Sequence, residues 1–373
     1  QTPSFPPDPI LAAGPNHIVA AVNRTFAIFD KQGNNLFEVT AQDWFSNTVP
    51  GITAAPFDPQ VIYDHYAERW VQVWVGGDLD TDPYYLISVS DDSNPLGTWC
   101  NYALPGNRNG SNLTFNWNDY PKMGFDSLAV YISANMFVQN NGPYDYTKIR
   151  IIPKSDLYNA NCGPVTWTDF WDLRDPDNFQ KHPDAIPIPA ISFGTTSVHY
   201  MLGDSPFITG TFVTLWSISN PVNNPTLSAV NLPVTASFRP PGAQQLGGGT
   251  PPIEIFGRKF KNPPVIKDGF LWAAHDVAGG SNFEFGFARY LRIRLGLTSV
   301  IEDVAFGADD FWYFYPAVMV DDSHHLTMVF SRSGFSEYVG AGYTGRFDTD
   351  PPGLAPSTLL KEGEVINDNY ISR

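Results

Sequence analysis

Asp58-Pro59-Gln60-Val61-Ile62-Tyr63-Asp64, followed after a short polar turn by Arg69-Trp70-Val71-Gln72-Val73-Trp74-Val75, reads as a proline-marked opening and two β-strands. In the second strand Val71, Val73 and Val75 alternate with Trp70, Gln72 and Trp74, so both faces carry bulky groups. A lone sheet would leave one such face in water; sheets stacked on either side would cover both. Tyr85 to Ser90 and Trp99 to Leu104 continue the run to four strands.

The same order recurs in both directions along the chain. Openings stand at Asp8-Pro9, Asp58-Pro59, Tyr120-Pro121, Ile186-Pro187, Pro263-Pro264 and Tyr315-Pro316, spaced by 50, 62, 66, 77 and 52 residues. Repeats of that size with four strands each predict an all-β, six-bladed β-propeller of four-stranded antiparallel blades, treated as one domain over residues 1–373. Pro and Gly, 33 and 31 in number, are spread along the chain, and no segment has a helical period long enough to compete. The longest spacing is taken up by an insertion around Gly247-Gly248-Gly249, which has neither the lysine nor the Ser/Thr of a phosphate-binding loop and could cover the centre of the ring.

The formal net charge of −16, with 22 Lys and Arg, excludes nucleic acid as a partner, because phosphate binding needs clustered cations. No apolar run is long enough to insert into a membrane. A start at Gln1 rather than Met suggests a processed, secreted chain, and Asn23, Asn109 and Asn112 open formal glycosylation sequons. Cys100 and Cys162 are the only cysteines, each near the last strand of its unit; a disulfide between neighbouring blades and two separate buried thiols are both open.

Ser90-Asp91-Asp92-Ser93-Asn94-Pro95-Leu96-Gly97-Thr98-Trp99 resembles the Asp-box of sialidase-like propellers, though it is two residues longer, and Ser155-Asp156 with Gly163-Pro-Val-Thr-Trp167 is similar to a looser copy. In that family the box is a structural turn, so the resemblance implies fold and not catalysis. A wider likeness runs through Ala13-Gly-Pro-Asn-His17, Phe26-Ala-Ile-Phe-Asp30, Tyr315-Pro-Ala-Val-Met-Val320, Phe330-Ser-Arg-Ser333, Tyr343-Thr-Gly-Arg346 and Asp350-Pro-Pro-Gly353. These stretches are similar to a family of secreted microbial propellers without an established activity. The resemblance implies an extracellular location and a further tryptophan-rich blade, which would make the ring seven-bladed.

In a propeller the link into the first strand and the loop after the second open on one face, around the mouth of a central funnel. That rule selects Asp8, Asp58, Asp119, Tyr120, His182, Asp184 and Tyr315 from the links, and Asn23, Asn135, Asp204, His275, Asp276 and Arg332 from the loops. Asp before Pro is equally a turn residue and Tyr beside a strand equally a packing group. The ring suits a carbohydrate or another extracellular ligand. As an enzyme it would be a polysaccharide lyase using His275, Tyr315 and Arg332, or a glycoside hydrolase pairing Asp58 with Asp119 or Asp184; a structural module of a surface assembly is the third reading. Asp78, Asp80 and Asp82, at alternate positions, could offer oxygens to calcium, or form a solvated acidic loop.

Overall fold

The computed structural model describes residues 6–367 other than 53, 183, 184, 196 and 249–251. Asp184 and part of the triple glycine therefore lie outside the described residues.

The chain forms six four-stranded antiparallel units, four of them separate sheets and two merged into a nine-stranded one. The first contains Ile10–Ala13, His17–Val22, Thr25–Asp30 and Asn35–Thr40, and the second Phe57–Asp64, Arg69–Asp78, Asp82–Ser90 and Trp99–Pro105. The third contains Asn116–Phe125, Ala129–Val138, Tyr144–Pro153 and Thr168–Phe170, and the fourth Ile188–Pro189, Val198–Asp204, Thr209–Ser219 and Thr226–Phe238. Val265–Lys267, Phe270–Gly279, Phe285–Arg294 and Ser299–Phe306 make the fifth; Phe311–Val320, Leu326–Gly334, Glu337–Arg346 and Thr358–Lys361 make the sixth. A two-residue strand, Ile191–Ser192, pairs in parallel with the first strands of the third and fifth units, the direction that inner strands of a propeller share.

Neighbouring units are held by shared apolar cores. Trp70 and Trp74 of the second unit pack with Val19 and Phe26 of the first, while Val71 and Val73 on the reverse face pack with Met123 and Ile132 of the third. Further cores join the third unit to the fourth, the fourth to the fifth and the fifth to the sixth. Among the described residues no such core joins the sixth unit to the first, and each of these keeps one face open: Met319, Val329 and Tyr343 on the sixth, Leu11 and Val22 on the first.

The proline openings are not all turns before strands, as the sequence suggests. In the second, third and sixth units the pairing skips residues 58–59, 120–121 and 315–316, so each Xaa-Pro pair is a β-bulge inside the first strand. Proline is tolerated there because the bulge leaves its missing N–H unneeded. The structure also adds a small hairpin, Arg108–Asn109 with Asn112–Leu113, and two short helices, Ala41–Phe45 and Lys154–Leu157, which the periodicity did not announce.

Cys100 and Cys162 form a disulfide, with Cα atoms 5.2 Å apart, tying the last strand of the second unit to a loop of the third. The long Asp-box-like turn is closed by its own side chains: Ser90 Oγ donates to Asp92 O and accepts from Trp70 N, and Trp99 Nε1 donates to Pro95 O. Two sequons are occupied structurally, since Asn23 and Asn109 are buried and hydrogen-bonded. Replacing both cysteines by serine opens a 62-residue separation, which the chain-entropy relation values at roughly 4 kcal/mol; a denaturant titration should show that loss, with an unchanged circular dichroism spectrum at low denaturant.

Candidate functional site

Asp8, Asp58, Tyr120 and Tyr315 each precede a proline and each has positive φ, between 42° and 55°. This left-handed region is sterically poor for residues with a Cβ and poorer still before proline, so every instance stores on the order of 1–3 kcal/mol. The strain recurs at one level of the ring, and it turns four backbone segments from distant parts of the chain toward a common mouth.

At that mouth the carboxyl of Asp58 stands close enough to those of Asp8 and Asp119 for both to raise its pKa. Asn23 locks the arrangement: its Nδ2 donates to Asp8 Oδ2 at 2.7 Å and to Pro6 O, while its Oδ1 accepts from Asp58 N at 2.6 Å. Burial first, then the charges of Asp119 and Asp8, push the Asp58 carboxyl up to about 8, with Lys122 opposing. Burial also pushes Asp119 up, to about 6, with Asp8 adding to the shift and hydrogen bonds from Tyr120 N and Asp58 restraining it. Between these values Asp58 is a hydrogen-bond donor and Asp119 an ionised acceptor.

Two lysines act on the same cluster. Lys122 is buried, its Nζ 3.2 Å from Lys261 O and 3.8 Å from the centre of the Tyr120 ring. Burial drives its pKa down to about 7, helped by Lys261 and Lys259 and opposed by Asp58 and Asp8. Lys261 is ion-paired to Asp276, whose carboxyl also accepts from Tyr315 N at 2.7 Å. Burial raises the Asp276 pKa, against the pull of Lys261. Tyr315 OH donates to Glu254 O in the long insertion, and the rings of Tyr120 and Tyr315 remain partly exposed at the opening. Burial raises the pKa of both phenols, so they stay protonated at neutral pH.

The structure thus brings together Asp8, Asn23, Asp58, Asp119, Tyr120, Asp276 and Tyr315 from the sequence-derived ring. Asn135 stands opposite Asp119 in register and accepts from Thr147 Oγ1 at 3.0 Å. His182 is exposed on the link before the fourth unit, in a crevice with Tyr144, Lys181 and Trp216. The expected set of His275, Tyr315 and Arg332 is not assembled. His275, though next to Asp276 in sequence, is buried with Nδ1 2.9 Å from Asp204 Oδ2 and its ring stacked on Phe260. Asp204 also takes Arg258 Nε, so it serves this internal network. Arg332 donates to Glu337 at 2.6 Å and to Ser357 Oγ at 3.0 Å.

For calcium, Asp78 Oδ1 accepts from Asp80 N and Asp80 Oδ1 from Asn140 N, with Asp78 paired opposite Asp82 across a hairpin. Among the described residues no group of three or more His, Cys, Asp or Glu is placed to hold a metal ion. These aspartates act as turn acceptors here.

Lys122, Lys261 and Glu254 were not foreseen. Lys122 shares a face with Asp119 only because the bulge at residues 120–121 places two residues where one would stand.

The chain matches no protein-family model and no curated protein. Among solved structures it is similar to a sialidase of Trypanosoma rangeli (TM-score 0.43, 10% identity, 91% of this chain and 51% of that one). It is also similar to a Dyadobacter fermentans protein of unknown function (0.48, 11%, 83% and 84%) and to a glycosyl hydrolase of Bacteroides ovatus (0.39, 11%, 81% and 86%). The chain spans about half the length of the sialidase chains it resembles. At these identities and TM-scores the likeness assigns no role to any residue of this chain.

Asp58 supplies a pH test. Its folded pKa is raised, so the stability it contributes is full below its unfolded value near 3.8 and is lost as pH climbs toward about 8. Asp58→Asn should therefore raise stability at pH 7, by on the order of 4 kcal/mol, and leave it nearly unchanged at pH 4. Urea midpoints at the two pH values read the difference.

Proposed function

We propose that the funnel mouth binds a neutral carbohydrate, and that the protein works outside the cell as a binding module. The observation that carries this reading is the pairing, in one opening, of two partly exposed tyrosine rings with carboxyls held in different protonation states. Sugar hydroxyls are donors and acceptors at once, and protonated Asp58 beside ionised Asp119 offers both kinds of partner. The flat faces of Tyr120 and Tyr315 suit the C–H faces of a pyranose ring. An anionic sugar is a poorer match, because Lys122 is buried and Lys261 is neutralised by Asp276. The disulfide fits an oxidising compartment.

Hydrolysis is the second reading, favoured by the split between Asp58 and Asp119, since an acid and a base with separated pKa values are what such chemistry uses. Their close coupling argues for binding instead. Glycosidase carboxyls stand about 5–9.5 Å apart to admit the scissile bond or a water.

Calorimetric titration with a panel of soluble neutral oligosaccharides tests the proposal. Tyr120→Ala and Tyr315→Ala should each weaken binding about tenfold, equivalent to about 1.4 kcal/mol. Affinity should be greatest between about pH 6 and about pH 8, falling below as Asp119 protonates and above as Asp58 ionises. Unchanged affinity in both tyrosine variants, or no binding across the panel, overturns the reading; release of new reducing ends replaces it with hydrolysis.

A further inference from the structure

Antiparallel pairing within each unit puts the loop between its second and third strands at the same end as the link from its fourth strand to the next unit. The strand starts that converge around Asp8, Asp58, Tyr120 and Tyr315 identify this end as the mouth. Exposed phenylalanines are distributed unequally between the two ends. Phe207, Phe283 and Phe335 occupy the loops after the second strands of the fourth, fifth and sixth units, and Phe115, Phe179 and Phe256 occupy links between units. Their exposures run from 43% to 79%, and of the exposed phenylalanines among the described residues only Phe347 belongs to a loop at the opposite end.

Single exposed apolar residues need no explanation, but phenylalanines gathered at one end of a ring do. Several are braced from behind: Phe283 packs 4.7 Å from Phe238, Phe335 5.1 Å from Trp312 and Phe207 6.2 Å from Phe212, measured between ring centres. Bracing holds the ring in place and lowers the entropy lost when it meets a ligand. The tips also carry acids, among them Asp80, Glu254 and Glu284, on a chain of net charge −16. That charge repels acidic polymers and anionic lipid headgroups, and is indifferent to an uncharged surface.

We propose that the mouth face is a platform for the surface of an insoluble, neutral polysaccharide, with the phenylalanine tips lying on pyranose faces around the funnel. The proposal rests on the carbohydrate reading of the mouth and extends it to polymer size: tips drawn from several units surround the opening, so their ligand is broader than a short oligosaccharide.

The test is retention of the full chain on washed cellulose, chitin and mannan particles. The comparison variant carries Phe207→Ser, Phe283→Ser and Phe335→Ser together, none of which touches the carboxyl cluster. Wild-type protein should be retained on at least one solid, and the triple variant should lose at least tenfold in partition coefficient while keeping the wild-type thermal midpoint and affinity for soluble oligosaccharide. Equal retention of variant and wild type overturns the platform, as does failure of the wild type to bind any of the solids. Retention on phosphatidylcholine vesicles in place of the solids overturns it in favour of a bilayer. A wild type that needs its phenylalanines for the solids yet ignores every soluble oligosaccharide sinks the funnel reading alone.

Discussion

Trp70 and Trp74 face one neighbour and Val71 and Val73 the other, all fully buried, and this two-sided dryness of a single strand governs the rest of the molecule. A four-stranded sheet with apolar side chains on both faces cannot stand alone in water, because about 25 cal/mol is lost for each Å² of apolar surface left wet. Each unit therefore requires a sheet on either side. The cores run in sequence order from the first unit to the sixth, and the terminal units are the ones whose outer faces stay partly exposed. Radial stacking then points the first strand of every unit inward. Side chains separated by hundreds of residues meet at the centre as a consequence of how the sheets bury themselves.

That geometry is sharpened by backbone strain. Left-handed residues before proline at Asp8, Asp58, Tyr120 and Tyr315 are unfavourable locally, and they persist because packing around them leaves no alternative. The Asn23 side chain is part of that constraint, bridging the first opening to the second through Asp8 and Asp58 N. Three carboxyls are thereby kept at a separation they would not choose in water. Desolvation and like-charge repulsion raise the pKa values of Asp58 and Asp119, and burial shifts that of Lys122 in the opposite direction. The insertion between the fourth and fifth units closes this centre from the side, through Lys261 on Asp276 and Glu254 O on Tyr315. Arg258 anchors it, bound to Asp204 and to the carbonyls of Ser205, Phe207 and Ser237.

Much of the fold was legible because strand alternation is a local signal. Arg69 to Val75 lies within the strand Arg69–Asp78, and Tyr85 to Ser90 within Asp82–Ser90. Inner strands are less legible: the sixth unit's first strand begins at Phe311, ahead of the Tyr315-Pro316 step that reads as its opening, because proline within the run of residues 311–320 looks like a boundary when it is a bulge. The site shows the same division. Aspartate and tyrosine before proline drew attention to the right positions by their repetition. Lys122 escaped, since a bulge shifts the inward-facing parity by one residue. His275 and Arg332 had suitable chemistry, but their partners, Asp204 with Phe260 and Glu337 with Ser357, use that chemistry for internal support.

What the sequence determined by itself was the repeated four-stranded unit, its all-β character, the acidic balance and the recurring step before proline, for these depend on neighbours a few residues away. The tertiary structure decided which acids share a mouth, which histidine is sealed beneath it, and that Cys100 meets Cys162. Those outcomes depend on distances between units, and they follow from the stacking angle of one sheet on the next. Alternation along a strand carries no record of that angle.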